Sequence, residues 1–471
     1  MPETPPQSPN VAVPMMVTCA YFMQSLDSTI VATTVPQMAA SLHEDPVWLN
    51  LAVTSYLLAM AVFVPLSGWL ADRFGARPIF ACSIIGFTLT SMACGLSETL
   101  TQLIFARVLQ GTSAALMIPV GRLLLLRTFE KSRLMHVMTY ISVPAMLGPV
   151  VGPPLGGLIV THASWRWIFF INLPIGVLGL VLAAIFIRRT PPGSEPGPFD
   201  LRGFMLITFA LATGMAAIET IGRGLIGTAA IILLLVGSAV GFLVYTRHAR
   251  HSAAPIIDLG LLRIQTFTAA VMGGVFFRMV VGTMPFLLPL LFQMGFGMSP
   301  ILSGVLTFAS AAGAISMRVC ASWIARRFGF RNSIIANLWL NAASCVVCAL
   351  FQPGTPVVAI FVILLVGGLF RAYVVSAANT LAFADIPPER MSRATSFAGM
   401  MQQLSQSLGV ALAAFVLHLT LLYKGSAVLG PDDFRPAFIV TGLFVLSGLY
   451  FFVPLPPDAG AEVSRHVIPR K

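Results

Sequence analysis

Residues 69–77 read WLADRFGAR, and residues 323–331 read WIARRFGFR, which is a second copy of the same segment. Six of the nine positions are identical, and the copies lie 254 residues apart. Each copy follows the second long apolar stretch of a series, and each contains a glycine that suits a tight turn between helices. The repeat therefore predicts two similar halves that arose by duplication.

The composition places these halves in a membrane. Hydrophobic residues make up 57% of the 471 residues and charged residues only 10%, and the mean hydropathy is +0.88. A soluble globular chain carries about 25% charged residues. A soluble domain of this length could not bury so much apolar surface, so the sequence predicts an all-α membrane protein.

The apolar stretches predict fourteen transmembrane helices, since about 20 apolar residues cross the hydrocarbon core. Two six-helix bundles flank a two-helix insert, which gives three domains: residues 1–190, 191–260 and 261–471. The predicted spans are 14–36, 47–67, 79–97, 101–124, 137–160, 167–187, 201–218, 225–245, 267–292, 301–320, 333–351, 356–382, 395–422 and 436–453.

The basic residues indicate the orientation. If both termini are cytoplasmic, most of the arginines outside the spans fall on the cytoplasmic side, as the positive-inside rule requires. This reading also accounts for the net charge of +11 without nucleic acid as a partner. The first ten residues lack a basic segment, so we expect no cleaved signal peptide. The sequence therefore predicts a multi-pass protein of the inner membrane.

Several enzyme classes lack support in the sequence. Lysine occurs only at Lys131, Lys424 and Lys471, and none follows a glycine as a phosphate-binding loop requires. No H-E-x-x-H or G-x-S-x-G segment occurs. The six cysteines all fall in apolar stretches, where we interpret them as packing residues without a disulfide or a metal. We expect no cofactor, and we do not expect an enzyme.

Asp27 is the only carboxylate well inside a predicted span. A charged group inside a membrane costs several kcal/mol by some scales, so it usually marks a proton relay or a substrate site. Arg107, in the fourth span, lies within about two helical turns of the same depth, close enough for its long side chain to reach Asp27. The alternative is an ion pair with a purely structural role.

Further polar residues in the spans are candidates for a substrate cavity. Arg278 falls at the position that the repeat offset relates to Gln24, and no carboxylate of the second half lies at a similar depth. Asp27 can neutralise only one arginine, so the cargo could be an organic anion or amphiphilic acid that pairs with the others. Alternatively, these arginines bond to helix carbonyls. The candidate cavity residues are Gln24, Gln110, Arg278, Arg371, Gln402, Gln403 and Gln406.

Four segments together resemble the major facilitator superfamily, and in particular its fourteen-helix drug:proton antiporter branch (EmrB/QacA-like). They are LDSTIVATTVP (26–36), GWLADRFGARP (68–78), RVLQG (107–111) and LGPVVGPPLGG (147–157). Two positions depart from the branch pattern: Ala32 replaces the usual asparagine, and Ser113 replaces a glycine.

The resemblance implies a proton-coupled exporter of small molecules, with multidrug efflux as its role and alternating access as its mechanism. Asp27 would carry the proton, and Arg107 would hold its charge. A gating loop would latch the two halves, and an antiporter motif would supply helix shape and flexibility. The implied loop residues are Gly68, Asp72, Arg73, Gly75 and Arg77, and the implied motif residues are Gly148, Pro149, Gly152, Pro153, Gly156 and Gly157.

The partners implied are small-molecule substrates, protons and the lipid bilayer, and we expect a monomer. A channel and a membrane-embedded enzyme remain alternatives. A channel requires a continuous polar pore, whereas two related halves and a helix bent by prolines favour rocking motions.

Overall fold

The computed structural model describes residues 12–46, 48–128, 148, 151–186, 199–220, 227–252, 255–387, 390–425 and 429–460. Every regular element within these ranges is helical. The all-α prediction is therefore confirmed for the part of the chain that is described.

The first half contains the helices up to residue 186. Pro36 lies inside the first helix and Pro119 inside the fifth. The predicted span at 137–160 is described only at residue 148 and from residue 151 onward. The helices are α1 Ala12–Leu42, α2 Asn50–Phe63, α3 Leu66–Phe74, α4 Ala76–Leu96, α5 Leu100–Thr128, α6 151–162, α7 Trp167–Phe170 and α8 Asn172–Phe186.

The insert and the second half follow. The segment predicted to be an insert forms a pair of helices, α9 Leu201–Thr220 and α10 Thr228–His251. In the second half, α11 and α12 are joined by the π-helical turn Ala269–Gly273, and a second π-helical turn, Leu291–Gly295, extends α12. The helices are α11 Gln265–Thr268, α12 Gly274–Leu290, α13 Pro300–Ala349, α14 Val357–Ala382, α15 Met391–Lys424, α16 Arg435–Ser447 and α17 Leu449–Phe452.

Ten helices of the described residues are long and apolar enough to cross a membrane. Asn50–Phe63 and Trp167–Leu182 are apolar but shorter, and α1, which carries Gln24 and Asp27, is not among the ten. The chain is thus a multi-pass membrane protein, whereas the count of fourteen spans stays a prediction.

The two copies of the repeated segment form the same kind of turn. Gly75 separates α3 from α4 with a φ of 91°, and Gly329 interrupts α13 with a φ of 72°. Positive φ values of this kind favour glycine because it lacks a Cβ atom. We call the side of the molecule that carries both turns the motif end, and the opposite side, with Leu42 and Pro300, the far end.

The two halves pack against each other closely at the far end. Gln37 of α1 donates a hydrogen bond to Gln293 Oε1 at 2.7 Å, and Gln293 Nε2 donates to the Thr33 carbonyl at 2.9 Å. The halves also touch where α6 meets α13, since a Cβ atom on Gly157 of α6 would collide with the Pro300 carbonyl of α13. A Cβ atom on Gly304 of α13 would in turn collide with a carbonyl of α6, that of Pro153. Glycine at both positions therefore permits the helices to touch.

The insert lies beside a second line of contact between the halves, where α2 meets α15. Ser407 of α15 donates to the Thr54 carbonyl of α2 at 3.2 Å, and its Oγ also lies 3.9 Å from Met215 Sδ of α9. The insert also contacts the first half through aromatic rings, since the Phe63 and Phe204 ring centroids lie 5.7 Å apart. Helix α9 thus packs along the junction of α2 and α15.

Candidate functional site

The most deeply buried charged residues of the first half meet inside that half. Asp27 has no solvent exposure and Arg107 has 1%. Arg107 Nη1 lies 2.6 Å from Asp27 Oδ2. The structure therefore brings together the two residues for which the sequence predicted a proton-coupling role, although 80 residues separate them in the chain.

Two amides complete the surroundings of the Asp27 carboxylate. Gln110 Nε2 donates to Asp27 Oδ1 at 3.0 Å, and Asn172 Nδ2 donates to the same oxygen at 3.2 Å. Asn172 Nδ2 also donates to Ser91 Oγ at 2.9 Å, which fixes the orientation of the amide. We call Asp27, Arg107, Gln110 and Asn172 the carboxylate network. Hydrogen bonds to an ionised carboxylate are stronger than those between neutral groups.

Arg107 is held from several sides. Its Nε donates to the Ala52 carbonyl of α2 at 2.9 Å, and its Nη1 also donates to Gln110 Oε1 at 2.7 Å. The guanidinium carbon lies 4.1 Å from the centre of the Tyr56 ring, which is close enough for a cation–π interaction. The network thus connects α1, α2, α5 and α8 around one buried ion pair.

The arrangement can hold a charge or release it. Removing two charges from water costs several kcal/mol per ion, and only good geometry and further hydrogen bonds compensate. If Asp27 accepted a proton, its ion pair with Arg107 would be lost, while the bonds from Arg107 to Ala52 and Gln110 could remain. Protonation would therefore loosen α1 from α5 without removing every partner of Arg107.

The candidate cavity residues do not form one cluster. Gln110 is fully buried in the carboxylate network. Gln24 is 5% exposed; its Nε2 lies 3.6 Å from Met60 Sδ, and its Oε1 has no hydrogen-bond partner among the described residues. Gln402, Gln403 and Gln406 are all partly exposed on α15.

The two arginines of the second half are buried with few partners. Arg278 is 2% exposed, and its Nη2 donates to Asn379 Oδ1 of α14 at 2.7 Å. Arg371 is 9% exposed, and its Nη2 donates to Ser310 Oγ of α13 at 3.1 Å. Within the described residues, Nε and Nη1 of Arg278 and Nη1 of Arg371 have no hydrogen-bond partner. Neither arginine forms an ion pair with a described acid.

The loop predicted to gate the protein lies at the motif end. Arg73 is exposed, Arg77 is half-buried, and Gly68 is exposed with no atom within 4 Å of a Cβ at that position. Gly75 is buried in its left-handed turn. The side chain of Asp72 lies outside the described part, so the latch role stays a prediction.

The glycines of the predicted antiporter motif form a stripe against α1. A Cβ atom on Gly148, Gly152 or Gly156 would collide with α1. The positions met on α1 are Ser25 and Leu26, then Thr29, then Thr33, so both helices contribute one residue per turn. Thr29 Oγ1 also donates to the Gly148 carbonyl at 3.3 Å. The other face of α6, with Pro153 and Gly157, meets α13; Pro149 lies outside the described residues.

Sequence reasoning missed three members of this site: Asn172, Tyr56 and Asn379. Asn172 stands in the apolar run IFFINLPIG at 168–176, where a lone amide was the available signal. Asn379 is likewise a lone amide in its helix, and Tyr56 is a single uncharged polar residue; neither indicates its partner, because the partners are distant in the chain.

Comparison with known proteins identifies the family. The sequence profile of the Major Facilitator Superfamily matches residues 17–410. The chain is 38% identical over 405 residues to proteins of Salmonella paratyphi A and Salmonella typhimurium that carry the provisional name multidrug resistance protein MdtD, covering 86% of each chain.

Solved structures agree at the level of the fold. A D-xylose–proton symporter gives a TM-score of 0.67 at 14% identity, over 96% of this chain and 99% of its own. A peptide transporter solved in complex with sulfate gives a TM-score of 0.70 at 13% identity, over 95% of both chains. The chain therefore belongs to the Major Facilitator Superfamily, and it is a multi-pass transporter of small molecules rather than an enzyme.

Proposed function

We propose that this protein is a proton-coupled antiporter that exports small molecules by alternating access. The observation that carries the proposal is the carboxylate network, in which the one described acid deep inside the spans is fully buried against Arg107. A carboxylate in this position can exchange a proton with one side of the membrane at a time. Its relatives named for multidrug resistance suggest efflux as the direction.

The coupling would run through α1. This helix carries Asp27, packs along the glycine stripe of α6, and contacts α12 through Gln37 and Gln293. Loss of the Asp27–Arg107 ion pair would weaken the attachment of α1 to α5 and allow α1 to move, while Gln110 of α5 could still bond to the carboxyl group. That movement would act on contacts between the halves at the far end, where Gly157 and Gly304 permit close approach.

The remaining parts of the proposal concern placement in the cell. We infer an inner-membrane location, cytoplasmic termini and a monomeric state, and the arginine-rich loops of the motif end support the orientation. The orientation is tested with reporter fusions at the C-terminus, since a reporter active only in the cytoplasm should be active there. A reporter active only outside the cytoplasm would refute it.

The function is tested in proteoliposomes under an imposed pH gradient, with cationic, neutral and anionic compounds as cargo. The wild type should move at least one class against its gradient, and Asp27→Asn should reduce this transport to background. Asp433→Asn is the matched control, because Asp433 is also a buried acid in an ion pair, with Lys424 at 2.9 Å, but lies beyond α15 at a helix end. The control should transport normally.

Two results would contradict the proposal. Unchanged gradient-driven transport by Asp27→Asn would exclude Asp27 as the coupling residue. A steady single-channel conductance of the wild type in a planar bilayer would instead support the channel alternative.

A further inference from the structure

Within the described residues, the buried charge of Arg278 has no acidic partner. The guanidinium has five N–H donors, and the described residues supply one acceptor, Asn379 Oδ1. An unpaired buried charge is strongly destabilising, so such groups are normally paired with an acid. None of the described acids of this half pairs with Arg278: Asp385 accepts from Thr266, Asp432 and Asp433 pair with Arg435 and Lys424, and Asp458 is exposed.

The face of the helix that carries Arg278 extends to the contact between the halves. Gln293, which contacts α1 across the junction, follows Arg278 by about four helical turns and so lies on nearly the same face. Between them on this face, Val281, Gly282 and Pro285 are partly exposed, whereas Val280, Met284 and Leu287 on the opposite face are buried. A Cβ atom on Gly282 would collide with the Gln406 backbone of α15, so this face packs against α15 of its own half and reaches α1 of the first half at Gln293.

Arg371 differs from Arg278 in its surroundings. Its Nη2 bonds to Ser310 within the second half, and a Cβ atom added to Gly367 would lie 3.6 Å from that nitrogen and 3.4 Å from Ser344 Oγ. Arg371 therefore lies among α13 and α14 inside its own half. It is equally charged and nearly as buried, which makes it a control.

We propose that Arg278 and Asn379 form the anion subsite of the transport cavity, and that the cargo carries a carboxylate group. The inference rests on the proposed transport function and names its substrate class. The planar guanidinium suits a carboxylate, which it can bind through two parallel hydrogen bonds. Asn379 Oδ1 accepts from Arg278, so its Nδ2 is left as a further donor beside the same site. The subsite is closed in this structure, and opening of the halves loads it.

The first test needs no knowledge of the cargo. Arg278→Gln removes an uncompensated buried charge, so the ligand-free purified protein should melt at a higher temperature than the wild type. Arg107→Gln removes a fully paired charge and should melt at a lower temperature. An Arg278→Gln protein that melts well below the wild type would overturn the proposal, because Arg278 would then be a paired structural residue.

The second test measures binding without a gradient. Acetate, benzoate and succinate are each added beside their uncharged amides, and the shift in melting temperature of the detergent-purified full chain is recorded. At least one acid should stabilise the wild type and Arg371→Gln, its amide should not, and the effect should disappear in Arg278→Gln. Chloride and phosphatidylglycerol are added in separate arms.

The outcomes separate this proposal from the proposed function. An acid shift that depends on Arg278 supports the subsite even if pH-driven transport fails, which would count against proton coupling alone. No acid shift, an equal shift with the amides, an equal shift in Arg278→Gln, or a shift reproduced by chloride or phosphatidylglycerol alone would overturn the carboxylate subsite. None of these results bears on transport that depends on Asp27.

Discussion

The two halves of this transporter differ in how their buried arginines are paired, although each half carries a copy of the repeated segment. In the first half, Arg107 meets the Asp27 carboxylate, two oxygen acceptors and an aromatic ring. In the second half, Arg278 has a single amide acceptor. The offset of 254 residues relates Asp27 to Val281, so the second half lacks the acid at the equivalent place.

This difference suggests that the two halves have different roles in transport. An ion pair inside one half can respond to a proton without a ligand, whereas a buried cation that no described acid pairs can bind an anion from elsewhere. If the halves arose by duplication, as the repeat predicts, the loss or gain of one carboxylate would suffice to give them different partners. The following predictions test this contrast between the halves.

The largest expected effect concerns the paired half. Asp27→Ala leaves Arg107 as an uncompensated buried charge, which should destabilise the protein by about 3–5 kcal/mol. The double variant Asp27→Ala with Arg107→Met should recover much of this loss, because no buried charge then remains. Thermal unfolding of the wild type, both single variants and the double variant gives the coupling energy. Strictly additive effects would show that the two residues stabilise the fold independently.

The second prediction restores the missing acid. Val281→Asp places a carboxylate three residues from Arg278 on the same helix, which is a spacing that permits pairing. A hydrogen bond to a charged group contributes about 1.5–3 kcal/mol, so the new acid should occupy Arg278 and abolish carboxylate binding. The matched control is Val281→Asn, because asparagine has nearly the shape of aspartate but no charge. Acid binding equal in both variants would mean that Arg278 does not receive the anion.

The third prediction concerns the contact that the halves share. Gly304→Val introduces side-chain atoms where α13 touches the Pro153 carbonyl, and overpacking of this kind costs about 1–3 kcal/mol. The far end should therefore open more often, and transport should slow, while the fold persists. Gly354→Val is the control, since a Cβ atom there meets nothing within 4 Å. Labelling of a cysteine introduced at Gln37 reports the opening, and equal labelling in both variants would contradict the prediction.

The sequence revealed the charged members of these sites because charge is rare within apolar spans. Asp27, Arg107, Arg278 and Arg371 were found in this way, and the all-α architecture followed from composition. Their partners could not be found, since Asn172 lies 145 residues from Asp27 and Asn379 lies 101 residues from Arg278. Only folding brings such groups together.

Helix boundaries were harder to predict than helices. The tenth predicted span, 301–320, falls within α13, and the eleventh, 333–351, overlaps it up to Ala349, because α13 runs through Pro300–Ala349 with a break only at Gly329. The apolar pattern stops at the charged motif, but the backbone stays helical until the glycine turns it. From the sequence, the glycines of α6 are predicted to determine the shape of the helix. The structure shows in addition that they pack against α1.

The smallest expected effect concerns the motif end, where the two copies of the repeat carry opposite charges at one position. The first copy carries Asp72 and the second carries Arg326 at the equivalent position. Asp72→Asn should shift the balance between the inward-open and outward-open states by roughly 1.4- to 5-fold, since surface charge pairs contribute about 0.2–1 kcal/mol. The matched variant Arg326→Gln changes the same position of the other half. Cysteine accessibility at both ends measures the shift, and the effect of Asp72→Asn should weaken at high salt because exposed charges are screened. If both variants shift the balance equally and in the same direction, the two loops act alike, and the electrical difference between the halves does not extend to the motif end.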